Sequence, residues 1–98
     1  MGYKDVKRQV LLALIEGRYR IAHRASLDSK NVFYTGELDL EDLLLILMGS
    51  RGTEHRVTPH HRQPDIDVHV IVSGGWYIKF YFFEGAVDLL SVHRTEKS

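Results

Sequence analysis

The fold is decided by residues 66–93, which read IDVHVIVSGGWYIKFYFFEGAVDLLSVH. Three segments of this stretch alternate apolar and polar side chains with a period of two, the pattern of β-strands that bury one face. Turn residues separate the segments, with Ser-Gly-Gly at 73–75 and Glu-Gly-Ala at 84–86. The stretch therefore predicts two consecutive antiparallel hairpins. A further strand is expected near residues 53–58, before a loop that contains both prolines of the chain.

The first half of the chain has helical periodicity instead. An apolar side chain recurs every four residues from Val6 to Leu14, which predicts a helix with one buried face that ends at the following glycine. A second helix is expected at about residues 23–33. The third begins at Asp39, whose carboxylate can cap the first turn, and carries a stripe of leucines up to Gly49.

Helices followed by a run of strands imply an α+β fold, with the helices packed on one face of a twisted antiparallel sheet. A length of 98 residues predicts a single domain over residues 1–98. Its helical half covers about residues 4–49, and its antiparallel strand half covers about residues 53–94.

Composition excludes several classes of protein. Hydrophobic residues make up 44% and charged residues 27% of the chain, values of a folded protein rather than a disordered tail. The absence of cysteine excludes disulfides, thiolate zinc sites and cysteine nucleophiles. The longest apolar run, residues 43–48, is too short to cross a membrane. Charged residues near the N-terminus do not match a secretion signal, so we expect a cytoplasmic protein without membrane partners.

The loop lengths predict which side chains share a face, because a shift by one residue reverses every side chain. Three-residue loops at both turns keep polar and apolar side chains apart. The first such loop pairs His69 with Lys79, and the second pairs Lys79 with Ser91 and Tyr77 with His93. The core face then carries Trp76, Ile78, Phe80 and Phe82, and the polar face carries Asp67, His69, Tyr77, Lys79, Tyr81, Ser91 and His93.

The simplest interpretation of this polar face is a solvated sheet surface. Its composition argues for a site, because solvated faces usually carry threonine, lysine and glutamate, whereas this one carries two histidines, two tyrosines and one lysine. The neighbouring loop adds more cationic and imidazole groups, namely His55, Arg56, His60, His61 and Arg62.

Net charge gives no argument for a nucleic-acid partner, because thirteen basic residues balance thirteen acidic ones. The charges are unevenly distributed, however. Residues 31–50 contain four acidic residues and no basic one, whereas residues 51–62 contain three arginines and three histidines against one glutamate. Because salt screens a charge beyond about 10 Å, a neutral protein can carry a local positive patch.

These groups suit the metal-free cleavage of RNA, in which a 2′-hydroxyl attacks its own neighbouring phosphate. Histidine can give and take a proton near neutral pH, and tyrosine can hydrogen-bond the reacting hydroxyl. Lysine and arginine stabilise charge on a phosphoryl group, and aromatic rings stack on unpaired bases. Zinc chemistry is the competing interpretation, with ligands drawn from His55, His60, His61, Asp67 and His69, although no fixed metal-binding spacing is present.

Four segments form an ordered pattern along nearly the whole chain. They are Val10 to Ala25 with the basic stretch at 16–20, Gly36 to Leu40 leading to Met48-Gly49, Tyr77-Ile78-Lys79-Phe80, and Leu90-Ser91-Val92-His93. In this order and spacing they resemble the motility quorum-sensing regulator (MqsR) family, small bacterial toxins of the RelE-like ribonuclease superfamily.

The resemblance implies a RelE-like fold and an mRNA interferase that a cognate antitoxin protein holds inactive. Functional positions of the family match Tyr77 and His93, where some members have lysine in place of the histidine. A Tyr-Lys pair of the relatives has its nearest match in His55-Arg56.

The resulting expectation is the toxin of a type II toxin–antitoxin pair, an endoribonuclease that needs no metal or other cofactor and has mRNA and an antitoxin as partners. The expected catalytic residues are His93, Tyr77, Lys79 and Arg56, and the expected RNA-binding residues are His55, His60, His61, Arg62, His69 and Tyr81. Two alternatives stay open, a non-catalytic RNA- or protein-binding module of the same fold and a metal-dependent enzyme.

Overall fold

The computed structural model describes residues 2–21 and 38–95, which form two helices and five strands. In chain order these are α1 (Tyr3–Ile15), β1 (Tyr19–Ile21), α2 (Leu40–Gly49), β2 (His55–Pro59), β3 (Asp67–Ser73), β4 (Trp76–Phe83) and β5 (Ala86–Arg94), with a short 3-10 helix at Gly52–Glu54 before β2. No helix within these ranges is long and apolar enough to cross a membrane.

Both described helices confirm the prediction from periodicity. The apolar stripe of α1 is buried, and the chain leaves the helix through Gly17, whose φ of 77° is accessible to glycine at no steric cost. In α2 the Asp39 carboxylate accepts a 2.9 Å hydrogen bond from the backbone N–H of Asp42, so it caps the first turn as expected. The helix expected at about residues 23–33 lies outside the described residues.

The sheet is mixed, with strand order β1-β5-β4-β3-β2. The pairings β2–β3, β3–β4 and β4–β5 are antiparallel, but β1 runs parallel to β5, which corrects the prediction of an antiparallel sheet. The α+β class is confirmed. Strand β1 was missed because its three residues are too few for a period of two to be seen, and it lies in the half of the chain assigned to helices.

The hydrophobic core lies between one sheet face and the two helices. Val6, Val10 and Leu14 of α1, with Leu43 and Leu47 of α2, are fully or almost fully buried against the sheet. The sheet contributes Ile71, Ile78, Phe80, Val87, Leu89 and Val92. We call the other side, turned away from both helices, the distal face.

The first hairpin has a two-residue loop, so the predicted three-residue loop is wrong. Ser73 pairs with Trp76, and Gly74 and Gly75 have φ values of 59° and 83°. Two consecutive left-handed residues make a turn whose twist matches that of the strands, and glycine adopts this conformation without strain. As a result His69 pairs with Phe80 and lies on the helix side of the sheet.

The second hairpin also has a two-residue loop, formed by Glu84 and Gly85, where three residues were predicted. The register shifts by one between Lys79 and Phe80, because a β-bulge inserts Leu90 as an extra residue in β5. The bulge restores the predicted register beyond it. Consequently the predicted pairs Lys79–Ser91, Tyr77–His93 and Ile78–Val92 are confirmed, whereas Phe80 pairs with Leu89 instead of Leu90.

Candidate functional site

The distal face gathers most of the polar side chains that the sequence singled out. Cross-strand pairing places Arg56 of β2, Tyr77, Lys79 and Tyr81 of β4, and Ser91 and His93 of β5 on this face. All four residues predicted to be catalytic, His93, Tyr77, Lys79 and Arg56, therefore share one face of the sheet.

Tyr77 and His93 form a ring contact across β4 and β5 on the distal face. Their ring centroids lie 4.7 Å apart and the ring planes differ by 14°, so the two rings are stacked. The Nδ1 atom of His93 lies 2.9 Å from the backbone oxygen of Arg94. Because a carbonyl oxygen only accepts, Nδ1 carries the proton of this hydrogen bond. In the neutral ring, Nε2 then has a free lone pair, as a general base requires.

The cations near this pair have no acidic partner within residues 2–21 and 38–95. No ion pair between described residues involves Arg56, Arg62 or Lys79. Arg20, on the same face, differs because its Nε lies 2.7 Å from the carboxylate of Asp88. The distal face is thus locally positive although the chain is neutral, as the uneven charge distribution suggested.

Two depressions lie on the distal face. The first has a volume of about 420 Å³ and extends between the loop after β2 and Lys79 on β4. His60, His61 and Arg62 line it, together with Ser91. We call it the loop cleft. The second has a volume of about 560 Å³ and is lined by Glu54, Arg56, Val70 and Tyr77, among others.

Two of the predicted RNA-binding residues, His55 and His69, lie on the helix side of the sheet instead. Their pairing partners are Ile71 and Phe80, both of which are core residues. For His69 this is a correction, and the same correction applies to Asp67, which belongs to the same alternation of β3. The cause is the two-residue loop at Gly74-Gly75, which reverses the predicted face of β3.

His55 and His69 form a structural pair in this position. His55 Nε2 and His69 Nδ1 are 2.9 Å apart and share a hydrogen bond, and His55 stacks on the ring of Tyr3 at 4.7 Å. Burial lowers the pKa of both histidines, and their mutual repulsion lowers the pKa of His69 further, while Asp67 opposes the shift. Both rings are therefore biased toward the neutral form.

The described residues contain no group of three histidine, aspartate or glutamate side chains arranged to hold a metal ion. The five candidate zinc ligands are divided between the two faces of the sheet. His60 and His61 line the loop cleft, whereas His55, His69 and Asp67 lie on the helix side.

Thr58 and Leu90 are among the residues of the site that were not identified from the sequence. Thr58 lines both depressions, and Leu90 lines the loop cleft. Thr58 was identifiable, since it follows Arg56 by two residues in the same strand and so shares its face. The position of Leu90 depends on the bulge, for which the sequence carries no turn or glycine signal.

Comparison with known protein families, with curated proteins and with solved structures finds no significant match to this chain.

Proposed function

We propose that this protein is an endoribonuclease that cleaves single-stranded mRNA without a metal ion. We propose further that it has a RelE-like fold and is the toxin of a type II toxin–antitoxin pair, as the resemblance of its sequence to the MqsR family implies. The observation that carries the enzymatic proposal is the Tyr77–His93 stack, in which the lone pair of His93 Nε2 is not used by the Nδ1 hydrogen bond and the nearby cations form no ion pair with any described residue.

The proposed reaction forms a bond from the 2′-oxygen of one ribose to the adjacent phosphorus and breaks the bond to the 5′-oxygen of the next nucleotide. Nε2 of His93 accepts the proton of the 2′-hydroxyl as general base. The phenol of Tyr77 gives a proton to the departing 5′-oxygen and is reprotonated from solvent. The products are a 2′,3′-cyclic phosphate and a free 5′-hydroxyl, so no outside nucleophile is consumed.

The phosphate in this reaction passes through a state with added negative charge on its non-bridging oxygens. Lys79 lies one strand repeat from Tyr77 on the same face, about 7 Å along β4, and Arg56 lines the depression next to Tyr77. These cations are suited to stabilise that charge, because neither forms an ion pair with an acidic residue in the part of the chain that the structure describes.

A second candidate function is a binding module that holds RNA or a protein on the distal face without cutting. The formal net charge of zero favours this alternative, since tight non-specific RNA binding depends on many phosphate contacts. The two candidates differ in chemistry and not in the surface they use.

Incubation of the purified protein with labelled single-stranded RNA in excess chelator separates the candidates. Fragments that end in a 2′,3′-cyclic phosphate are expected, together with the loss of these fragments in His93→Ala. Arg8→Ala is the matched control, because Arg8 is 70% exposed on α1. Intact RNA with a mobility shift would support the binding module, and cleavage that the chelator stops would support a metal-dependent enzyme.

The toxin proposal has a separate cellular test. Expression of the wild-type chain is expected to arrest growth. We expect the adjacent open reading frame to encode a small antitoxin protein, which co-purifies with this chain and restores growth when the two are co-expressed. Arrest by His93→Ala at the wild-type level would contradict the toxin mechanism, even if the purified protein cleaves RNA.

A further inference from the structure

The loop cleft is a separate concave site, offset from the Tyr77–His93 stack along the same strands. Lys79 and Ser91, which face each other across β4 and β5, line the loop cleft, and the stacked pair occupies the next pair of positions on the same face. The two positions are about 7 Å apart along the strands. The loop cleft is therefore a neighbouring site and not the reacting centre itself.

The chemistry of the loop cleft is that of an anion site. None of its nine lining residues is acidic, and four of them, His60, His61, Arg62 and Lys79, are cationic or imidazole side chains. Thr58 and Ser91 add hydroxyl groups. Neither Arg62 nor Lys79 takes part in an ion pair between described residues, so their charge is available to a ligand.

His60 is held in one orientation by the loop that follows it. Its Nδ1 accepts hydrogen bonds from the backbone N–H groups of Arg62 at 3.1 Å and Gln63 at 3.3 Å. Its ring also packs edge-on against Tyr81, with centroids 5.3 Å apart. Because Nδ1 is used as an acceptor, the proton of the neutral ring lies on Nε2, which is then a hydrogen-bond donor on a residue that lines the cleft.

Apolar groups form the rest of the cleft. Pro59, Val68 and Leu90 line it. Leu90 reaches the cleft because it is the extra residue of the β-bulge. In a regular strand Leu90 and Ser91 point to opposite faces, whereas here both reach the same cleft. A ligand that fits must therefore combine an anionic group with an apolar or aromatic surface, and a nucleotide does so.

We propose that the loop cleft binds the nucleotide next to the scissile bond, with its phosphate on Arg62 and His60 and its sugar or base on Val68 and Leu90. Lys79, at the edge of the cleft toward the stacked pair, faces the scissile phosphate. The inference rests on the proposed function, because it assumes that an RNA strand whose scissile bond lies at the Tyr77–His93 stack continues into the loop cleft. Binding of a nucleotide in the cleft does not itself require cleavage. In this proposal the loop cleft binds the substrate, and the stacked pair carries out the proton transfers.

The test measures binding to an RNA that cannot be cut. A 2′-O-methyl oligonucleotide lacks the attacking hydroxyl, so its affinity is independent of catalysis. Arg62→Ala is expected to weaken its binding about tenfold and to reduce the slope of log K against log salt by about 0.7, the value for one phosphate contact on a single strand. Arg62→Lys is expected to restore the slope, and Arg8→Ala, which removes one exposed arginine on α1, is expected to change neither value.

Nuclear magnetic resonance titration locates the ligand. Uridine 5′-monophosphate is expected to shift the amide signals of Thr58, Arg62, Val68 and Ser91 at lower concentration than inorganic phosphate, and uridine alone is expected to leave them unchanged. Equal affinity for phosphate and the mononucleotide would overturn the nucleotide assignment. Shifts confined to other parts of the chain, or an unchanged salt slope in Arg62→Ala, would overturn the site. Failure of RNA cleavage with these binding results intact would overturn the proposed nuclease alone.

Discussion

Tyr77 and His93 face each other on adjacent strands, and their rings stack at 4.7 Å, although the loop that joins the two strands is one residue shorter than the pairing requires. The bulge at Leu90 compensates for the missing loop residue. The stacked pair therefore depends on two local features that cancel each other, a short turn at one end of the hairpin and an inserted residue in its middle.

Removal of either proposed proton-transfer group of the pair is expected to slow RNA cleavage strongly. His93→Ala deletes the proposed base, and Tyr77→Phe deletes the phenol while keeping the stacked ring. Each is expected to lower the rate of cleavage roughly 10²- to 10⁴-fold, the usual effect of a lost acid–base group. The measurement is single-turnover cleavage of labelled RNA, with circular dichroism to show that the fold is kept. Full activity in both variants would refute the assignment.

The guanidinium of Arg56 is expected to act on the transition state. Arg56→Ala is expected to reduce kcat roughly 10²-fold, because a charge aimed at the developing phosphate charge is removed. Since Arg56 is exposed and lacks an ion pair among the described residues, its removal is not expected to change the free energy of unfolding by more than about 0.5 kcal/mol. A rise in KM with kcat unchanged would instead mean that Arg56 only binds substrate.

The elements that bury an apolar stripe were predictable from the sequence. The periodicity of α1 and the cap at Asp39 each depend on local chemistry, and the structure confirms both. The pairing of Tyr77 with His93 was predicted as well, but through a three-residue loop that is absent. A correct register was therefore reached with two compensating errors, the loop length and the bulge.

The face of β3 was predicted wrongly because sorting side chains by polarity treats a histidine as a surface residue. His69 is only 7% exposed and packs against Phe80 and Phe82. Its Nδ1 atom shares a hydrogen bond with His55 of β2. Because His55 lies in a different strand, the alternation of residues along β3 does not reveal this contact. A buried polar group is acceptable when it is hydrogen-bonded, and that condition is a tertiary one.

A substitution in the turn between β4 and β5 is expected to stabilise the protein. Glu84 has a φ of 51° and Gly85 a φ of 77°, the conformation that favours Asn-Gly. Glu84→Asn is expected to raise the free energy of unfolding by about 0.5–1 kcal/mol, because asparagine tolerates the left-handed region better than glutamate. Glu84→Gln, which removes the charge but keeps the strain, is the matched control and is expected to change little. Urea denaturation measures both, and equal stabilisation by the two variants would point to charge instead.

The pair His55–His69 is expected to make the protein less stable in mild acid. Burial lowers the pKa of His69 below its ordinary value of 6.5, and repulsion from His55 lowers it further. Well above pH 6.5 the imidazole is neutral in both the folded and the unfolded chain, so its titration has no effect on stability there. As the pH falls below 6.5, the unfolded chain binds a proton that the folded chain resists, and the free energy of unfolding decreases.

The variant His69→Gln separates this titration from the structural role of the side chain. Glutamine can still hydrogen-bond His55 but does not bind a proton in this range. Between pH 7.5 and 5.5 the wild type is expected to lose up to about 1 kcal/mol more than the variant, since a single unmatched proton changes stability by about 1.4 kcal/mol per pH unit at most. Urea denaturation at each pH gives the two curves. The offset between them at pH 7.5 measures lost packing, and parallel curves down to pH 5.5 would show that the buried histidine does not drive the acid sensitivity.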